Sequence, residues 1–373
     1  MEGGGGMNAR EWLLILSILS IAFSVAVIAI ADAQQYPAIP VQMWSVNHET
    51  YTALFIREDY VVVFTAHGDI DLGYRYISVY PGSTAYVYRI NGSLVTTLSA
   101  GTYRIVESGG SIQFVKLKYP GGTTNYDRSG FFSGNGEWLV ENPQYYGTEA
   151  RVALLGGDTE ILGFRTIDFN NTAGTFYPVQ IDYHGRYIAI GEHTSNGRVL
   201  LYKYCAKPGG GDYDIIWNST VIGDIRRIAM TLDAKYLVYG ALSHPYLYIA
   251  ERDENDAVSV IAQIPLEGGV GALTITDLWN IGYILVGTDN GHIYIFDAKY
   301  KGTPSDPYLV KHISNAAYPE GTGTTGRFYN PFYNRYNPPE NIRLVAFSTN
   351  TNPYVSIIVD IHNKTFWRYT GSG

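Results

Sequence analysis

The chain repeats one pattern with a period near 48 residues, and few folds accept that. RYIAIGEHTSNGRVLLYKY begins at 186, KYLVYGALSHPYLYIAERD at 235, GYILVGTDNGHIYIFDAKY at 282 and RLVAFSTNTNPYVSIIVD at 343, with EWLVENPQYYGTEARVALLGG upstream at 137. In each copy an aromatic or leucine opens an apolar strand, a small or polar residue ends it, and a second apolar strand follows. The openings are Trp138, Tyr187, Tyr236, Tyr283 and Leu344, at steps of 49, 49, 47 and 61.

Each copy resolves into four short strands. One unit reads RRIAMTL (226–232), KYLVYGAL (235–242), YLYIAER (246–252) and VSVIAQI (258–264). Four antiparallel strands at this spacing are expected of β-propeller blades, whereas a sandwich has no reason to repeat at one period. Thirty-three Tyr, 41 Gly and the scarcity of helical periodicity after residue 33 agree with an all-β chain. Earlier openings at Tyr60 and Tyr103 give seven blades over residues 41–373, although their steps of 43 and 35 are irregular. Starting instead from Tyr76 gives six. A further alternative places a small sandwich at 41–120 before a shorter propeller at 121–373. Ring closure needs strands from both chain ends in one blade, since an open blade leaves an edge exposed. That expectation places Trp44, in VQMWSV, beside KTFWRYT.

The layout resembles the WD-repeat and quinoprotein-like propeller superfamily over roughly residues 40–373. GTDNGHIYIFDAKYKG (287–302) carries the likeness, with Phe296-Asp297 where a WD repeat has Trp-Asp. The resemblance is one of fold. Because the WD triad and the quinoprotein tryptophan motif are not kept in register, no quinone or other cofactor is expected.

Trp12 to Ala31 is an uncharged run of 20 residues, enough for a helix to cross about 30 Å of hydrocarbon. Arg10 precedes it and the next Lys or Arg is Arg57, which puts the N-terminus in the cytoplasm and the rest outside. Ala31-Asp32-Ala33 also fits a signal-peptidase site. Residues 1–33 are therefore a membrane anchor or a cleaved signal peptide, and 34–40 a linker with two prolines. On an exported chain four sequons become usable, at Asn91, Asn170, Asn218 and Asn363.

A net charge of −8 without a basic patch argues against nucleic-acid binding. Cys205 is the only cysteine, so the chain has no internal disulfide. His48, His67, His184, His193, His244, His292, His312 and His362 are scattered without paired ligand spacing. His184, His193, His244 and His292 recur near hairpin turns, where convergence would hold a metal and dispersal would leave them solvated; the spacing favours solvation, and no metal is expected. Asp69, Asp71, Asp253, Asn255 and Asp256 read as solvated turn residues, since neither group has full calcium-loop spacing. GGG at 209–211 and EGGVG at 267–271 lack the lysine of a phosphate loop and read as turns.

The 61-residue step marks an insertion at 302–341. Its stretch RFYNPFYNRYNPP supplies Arg327, Phe328, Tyr329, Phe332, Tyr333, Arg335 and Tyr336, residue types that suit contacts with a protein or glycan. The expectation is an extracytoplasmic binding or scaffold module for such partners. An extracytoplasmic propeller enzyme, quinone-dependent or metal-assisted, and a surface-layer component are the alternatives.

Overall fold

The structure is a computed structural model that describes residues 52–371, apart from 57–58, 144–148, 169–175, 208–209, 221, 315–331, 334–340 and 349–353. The chain divides into two compact units, Met1–Asn47 and His48–Gly373. The apolar segment, the linker and Trp44 lie outside the described residues, as does Asn170. Among the described residues no helix is long and apolar enough to cross a membrane.

The second unit is built of strands. The first eight are β1 Thr52–Ile56, β2 Tyr60–Phe64, β3 Gly68–Ile70, β4 Tyr76–Val79, β5 Ala85–Arg89, β6 Leu94–Leu98, β7 Gly101–Ser108 and β8 Ser111–Lys116. They form two sheets that interleave along the chain, one ordered β1-β2-β5-β6 and the other β3-β4-β7-β8.

Next come β9 Gly130–Phe132, β10 Trp138–Glu141, β11 Glu149–Leu155, β12 Ile161–Asp168, β13 Phe176–Ile181, β14 Tyr187–Glu192, β15 Val199–Lys207 and β16 Gly210–Asn218. These are two consecutive four-stranded units fused into one eight-stranded sheet where β12 and β16 run parallel, through Thr166–Asp212 and Ile167–Tyr213.

Three sheets of consecutive antiparallel strands follow. They are β17 Ile225–Met230 to β20 Val258–Pro265, with β18 Tyr236–Ala241 and β19 His244–Arg252; β21 Val270–Asp277 to β24 Tyr308–Ile313, with β22 Ile281–Thr288 and β23 Ile293–Asp297; and β25 Phe332–Tyr333 to β28 Thr365–Gly371, with β26 Leu344–Ser348 and β27 Tyr354–Asp360.

Each four-stranded unit packs its face on the next. Val238 and Leu247 of the β17–β20 sheet, for example, share a core with Leu273 and Ile275 of the following one. Six such cores link the units in series, from the interleaved pair to the β25–β28 sheet. This is a propeller-like all-β fold.

Packing on both faces explains the sequence. In β14, β18 and β22 every residue is buried, so these second strands read as unbroken apolar runs instead of alternating. The fourth strand β20 has a neighbour on one side only, and none of its residues is fully buried. Leu237 in β18 is fully buried, and truncating such a side chain to alanine costs about 2–5 kcal/mol.

The turn from first to second strand has its own rule. A polar side chain five residues ahead of the opening aromatic accepts that residue's backbone N–H: Asp71 from Tyr76 (2.7 Å), Ser133 from Trp138 (3.0 Å), Asp182 from Tyr187 (2.9 Å) and Thr231 from Tyr236 (2.9 Å). In the next unit Thr276 does the same for Tyr283 across a turn two residues longer. Side chains of this kind close turns by taking up donors that strand pairing leaves free.

Three sequence expectations change here. Asp71 is buried and accepts from Gly73 and Arg75 as well, so it is no solvated turn acid. Asp256 accepts from Lys203, Tyr187 and Arg252, tying the turn after β19 to the unit before it. Tyr103 lies in β7, a third strand, and does not open a repeat; Tyr60 and Tyr76 each open the second strand of a different interleaved sheet.

Candidate functional sites

The turns between first and second strands form a continuous belt. Asn135 N–H donates to Tyr183 O (3.1 Å), Tyr183 N–H to Leu232 O (2.7 Å) and Leu232 N–H to Leu278 O (2.6 Å), and the Arg75 guanidinium donates to Asn135 O. Five successive units are thereby joined at one end of the fold. On this belt Tyr183 and Trp279 bring their rings to 5.4 Å with a 41° tilt. Trp279 is 53% exposed, more than any other tryptophan, tyrosine or phenylalanine among the described residues. The exposed His184 meets Tyr183 edge to face, ring centroids 4.9 Å apart, and Arg186 and Asn280 are exposed beside the same turns. A half-buried tyrosine therefore steadies an open indole within a polar rim.

The opposite end of the β21–β24 sheet gathers ligating groups. Cross-strand pairing sets Tyr294 of β23 directly against His312 of β24, and His292 lies two residues before Tyr294, on the same face. Nδ1 of His292 is 3.2 Å from Nε2 of His312. Glu267, in the connection from β20 to β21, brings Oε2 to 3.5 Å from His292 Nδ1 and Oε1 to 4.0 Å from His312 Nε2. The His312 ring stacks on Tyr294 at 4.2 Å and 8°. Burial, followed by the neighbouring His292, lowers the pKa of His312 despite the opposing pull of Glu267.

Local chain geometry holds this cluster. The turn before His292 is closed by Thr288, whose hydroxyl accepts the His292 N–H at 2.9 Å. The Glu267 loop is clamped to that turn: Asp289 exchanges bonds with Gly269, the Asn290 amide donates to Glu267 O, and the Tyr294 hydroxyl accepts the Glu267 N–H. Gly269 is required there, because a Cβ would lie 1.7 Å from Leu242 O. Such a set of two imidazoles and a carboxylate is able to bind a divalent transition ion.

The other expected residues disperse. His193 pairs with Asp224, His244 bonds the Tyr248 hydroxyl (2.8 Å), and neither joins the cluster. His67, just ahead of β3, is held down to about 4 by burial and, secondly, by the charge of Arg227 on β17. Cys205 is raised by burial and then by its bond to Asp214, which disfavours the reactive thiolate. Phe332 and Tyr333 of the aromatic stretch form β25, paired with Ala346 and Val345; Arg327, Phe328, Tyr329, Arg335 and Tyr336 lie outside the described residues. A cavity of about 230 Å³ beside Arg75, Arg104 and Glu137 is smaller than sites that bury small molecules, roughly 300–1,000 Å³.

The histidine pair escaped the sequence reading, which found no ligand spacing. Its one trace is that His292 and His312 belong to neighbouring strands of one repeat. EGGVG is the turn it was read as, and its first residue supplies the carboxylate.

No family model matches the chain. No curated protein matches it either. Among solved structures, a Bacteroides fragilis protein provisionally assigned as a 6-phosphogluconolactonase aligns over 86% of this chain and 92% of its own, at 11% identity and TM-score 0.50. The periplasmic gluconolactonase of Pseudomonas aeruginosa aligns over 87% and 84%, at 12% identity and TM-score 0.49. At such identities the first likeness bears on the fold alone. It supports a propeller and leaves the WD-repeat and quinoprotein resemblance without support beyond fold.

Proposed function

We propose that the chain is an exported, membrane-tethered, seven-bladed β-propeller that binds glycans on the face carrying Tyr183 and Trp279. The exposed, buttressed indole of Trp279 is the observation that carries this reading. A sugar ring offers a C–H face that stacks on an open aromatic plane, and its hydroxyls need polar partners such as His184, Arg186 and Asn280. The seven four-stranded units supply the blades, residues 1–33 the anchor or cleaved signal, 34–40 the linker and 41–373 the propeller. The aromatic stretch around Tyr333 is a second contact region for a glycan or protein partner.

An extracytoplasmic hydrolase is the second reading. The cluster at Glu267 favours it, and the fold neighbour provisionally assigned as a lactonase suggests an ester-like substrate. A glycan array probed with the full-length protein in detergent tests the first reading. Selective binding that disappears in Trp279→Ala supports it; an array without binding, alongside capture of a defined protein partner, would refute it.

A further inference from the structure

We propose that Glu267, His292 and His312 form a binding site for one divalent transition-metal ion of the zinc class, and that this ion clamps the seam between the β17–β20 and β21–β24 sheets. The ligand geometry carries the inference. A tetrahedral ion with bonds of about 2.1 Å sets its ligand atoms about 3.4 Å apart. The two imidazole nitrogens are 3.2 Å apart, Glu267 places Oε2 at 3.5 Å from His292 and Oε1 at 4.0 Å from His312, and one ligand atom from each residue lies within 4.8 Å of the other two. One ion touching all three groups therefore needs little movement, most of it from the exposed Glu267 carboxylate.

The site is built before any ion arrives. His292 and His312 are 9% and 23% exposed at the side chain, and Glu267 is 63% exposed. Stacking on Tyr294 and the strand register fix His312, the Thr288 turn fixes His292, and bonds from Asn290 and Tyr294 fix the Glu267 backbone. Two imidazole nitrogens beside a single carboxylate suit zinc, cobalt or nickel over calcium or magnesium, which favour all-oxygen shells. The open side of the cluster faces water, leaving a fourth position for a solvent molecule or ligand.

The clamp follows from chain order. Glu267 belongs to the connection that leaves β20, while His292 and His312 belong to the next sheet. An ion bound to all three adds a link at this end of a seam that is also held by apolar packing, by the Leu232–Leu278 bond of the belt and by the bonds around Gly269.

The test uses the full-length protein, stripped with a chelator and titrated with Zn²⁺ alone, then with Co²⁺ as a spectroscopic probe. The expected result is one equivalent bound per chain, visible Co²⁺ bands typical of low coordination, and a rise in melting temperature with Zn²⁺ that Mg²⁺ and Ca²⁺ do not give. His312→Ala and His292→Ala should each weaken binding by about tenfold or more; His184→Ala and His244→Ala should not. Should a histidine variant fail to fold, Glu267→Gln, at an exposed position, must still weaken Zn²⁺ binding. Zn²⁺ binding that survives in the folded His292→Ala/His312→Ala variant, or no stoichiometric binding to the parent, would overturn the proposal.

Discussion

His292 Nδ1 and His312 Nε2 lie 3.2 Å apart although 20 positions separate them in the chain. The pairing of Tyr294 with His312 across β23 and β24 creates this proximity, and the Glu267 loop completes the cluster. That loop depends on Gly269, where a Cβ would meet Leu242 O at 1.7 Å. Gly269→Ala should therefore move the loop backbone, lowering the melting temperature by several degrees and displacing Glu267. Thermal unfolding followed by circular dichroism checks the first effect.

Asp182 is buried and accepts the backbone N–H groups of Arg186 and Tyr187, with a longer contact from His184 at 3.4 Å. Asp182→Ala leaves those donors without their acceptor, at a cost of about 1–3 kcal/mol for each buried group that stays unsatisfied. Urea unfolding should show a clear drop in midpoint. Asp182→Asn, which keeps one acceptor oxygen, should lose less, whereas equal losses would contradict the turn-closing role.

His67 links stability to acid. Burial and then Arg227 hold its pKa at about 4, below the ordinary 6.5. Its contribution is thus present in full above about pH 6.5 and lost as pH falls toward 4, because the unfolded chain takes up the proton first. Asp71 and Asp182, raised mainly by burial, act in the opposite sense. The difference between parent and His67→Gln is therefore the readout: urea midpoints at pH 7.5, 5.5 and 4.5 should fall less steeply in the variant.

The sequons should differ in use. Asn91 lies exposed in the turn between β5 and β6, and Asn218 is exposed at the end of β16. The side-chain amide of Asn363 donates to Asp360 at 3.0 Å, which a glycan on that nitrogen would disturb. Peptide mass mapping after expression in a glycosylating host should find higher occupancy at Asn91 and Asn218 than at Asn363.

How much of this was legible in the sequence depended on whether a feature is local. Trp138, Tyr187, Tyr236, Tyr283 and Leu344 all fall on second strands, and burial on two faces makes β14, β18 and β22 unbroken and apolar. The beginning of the fold was harder to read because β3 and β4 interrupt the sheet of β1, β2, β5 and β6, so the Tyr60 and Tyr76 phases overlap. Asp71 and Asp256 looked like solvated acids because their donors come from folded turns and from a neighbouring unit. Nothing in LWN marks the Trp279 turn as open. Its partner Tyr183 comes from a unit two earlier in the chain, brought near only by the belt of turns.

The most direct test is a titration of the full-length protein with a glycan selected by the array, followed through tryptophan fluorescence in the parent, in Trp279→Ala and in Tyr183→Ala. A saturable shift in the parent that is absent from Trp279→Ala, while Tyr183→Ala weakens binding, is the predicted result. Saturable binding with the same affinity in parent and Trp279→Ala would contradict the account and place the ligand elsewhere on the propeller.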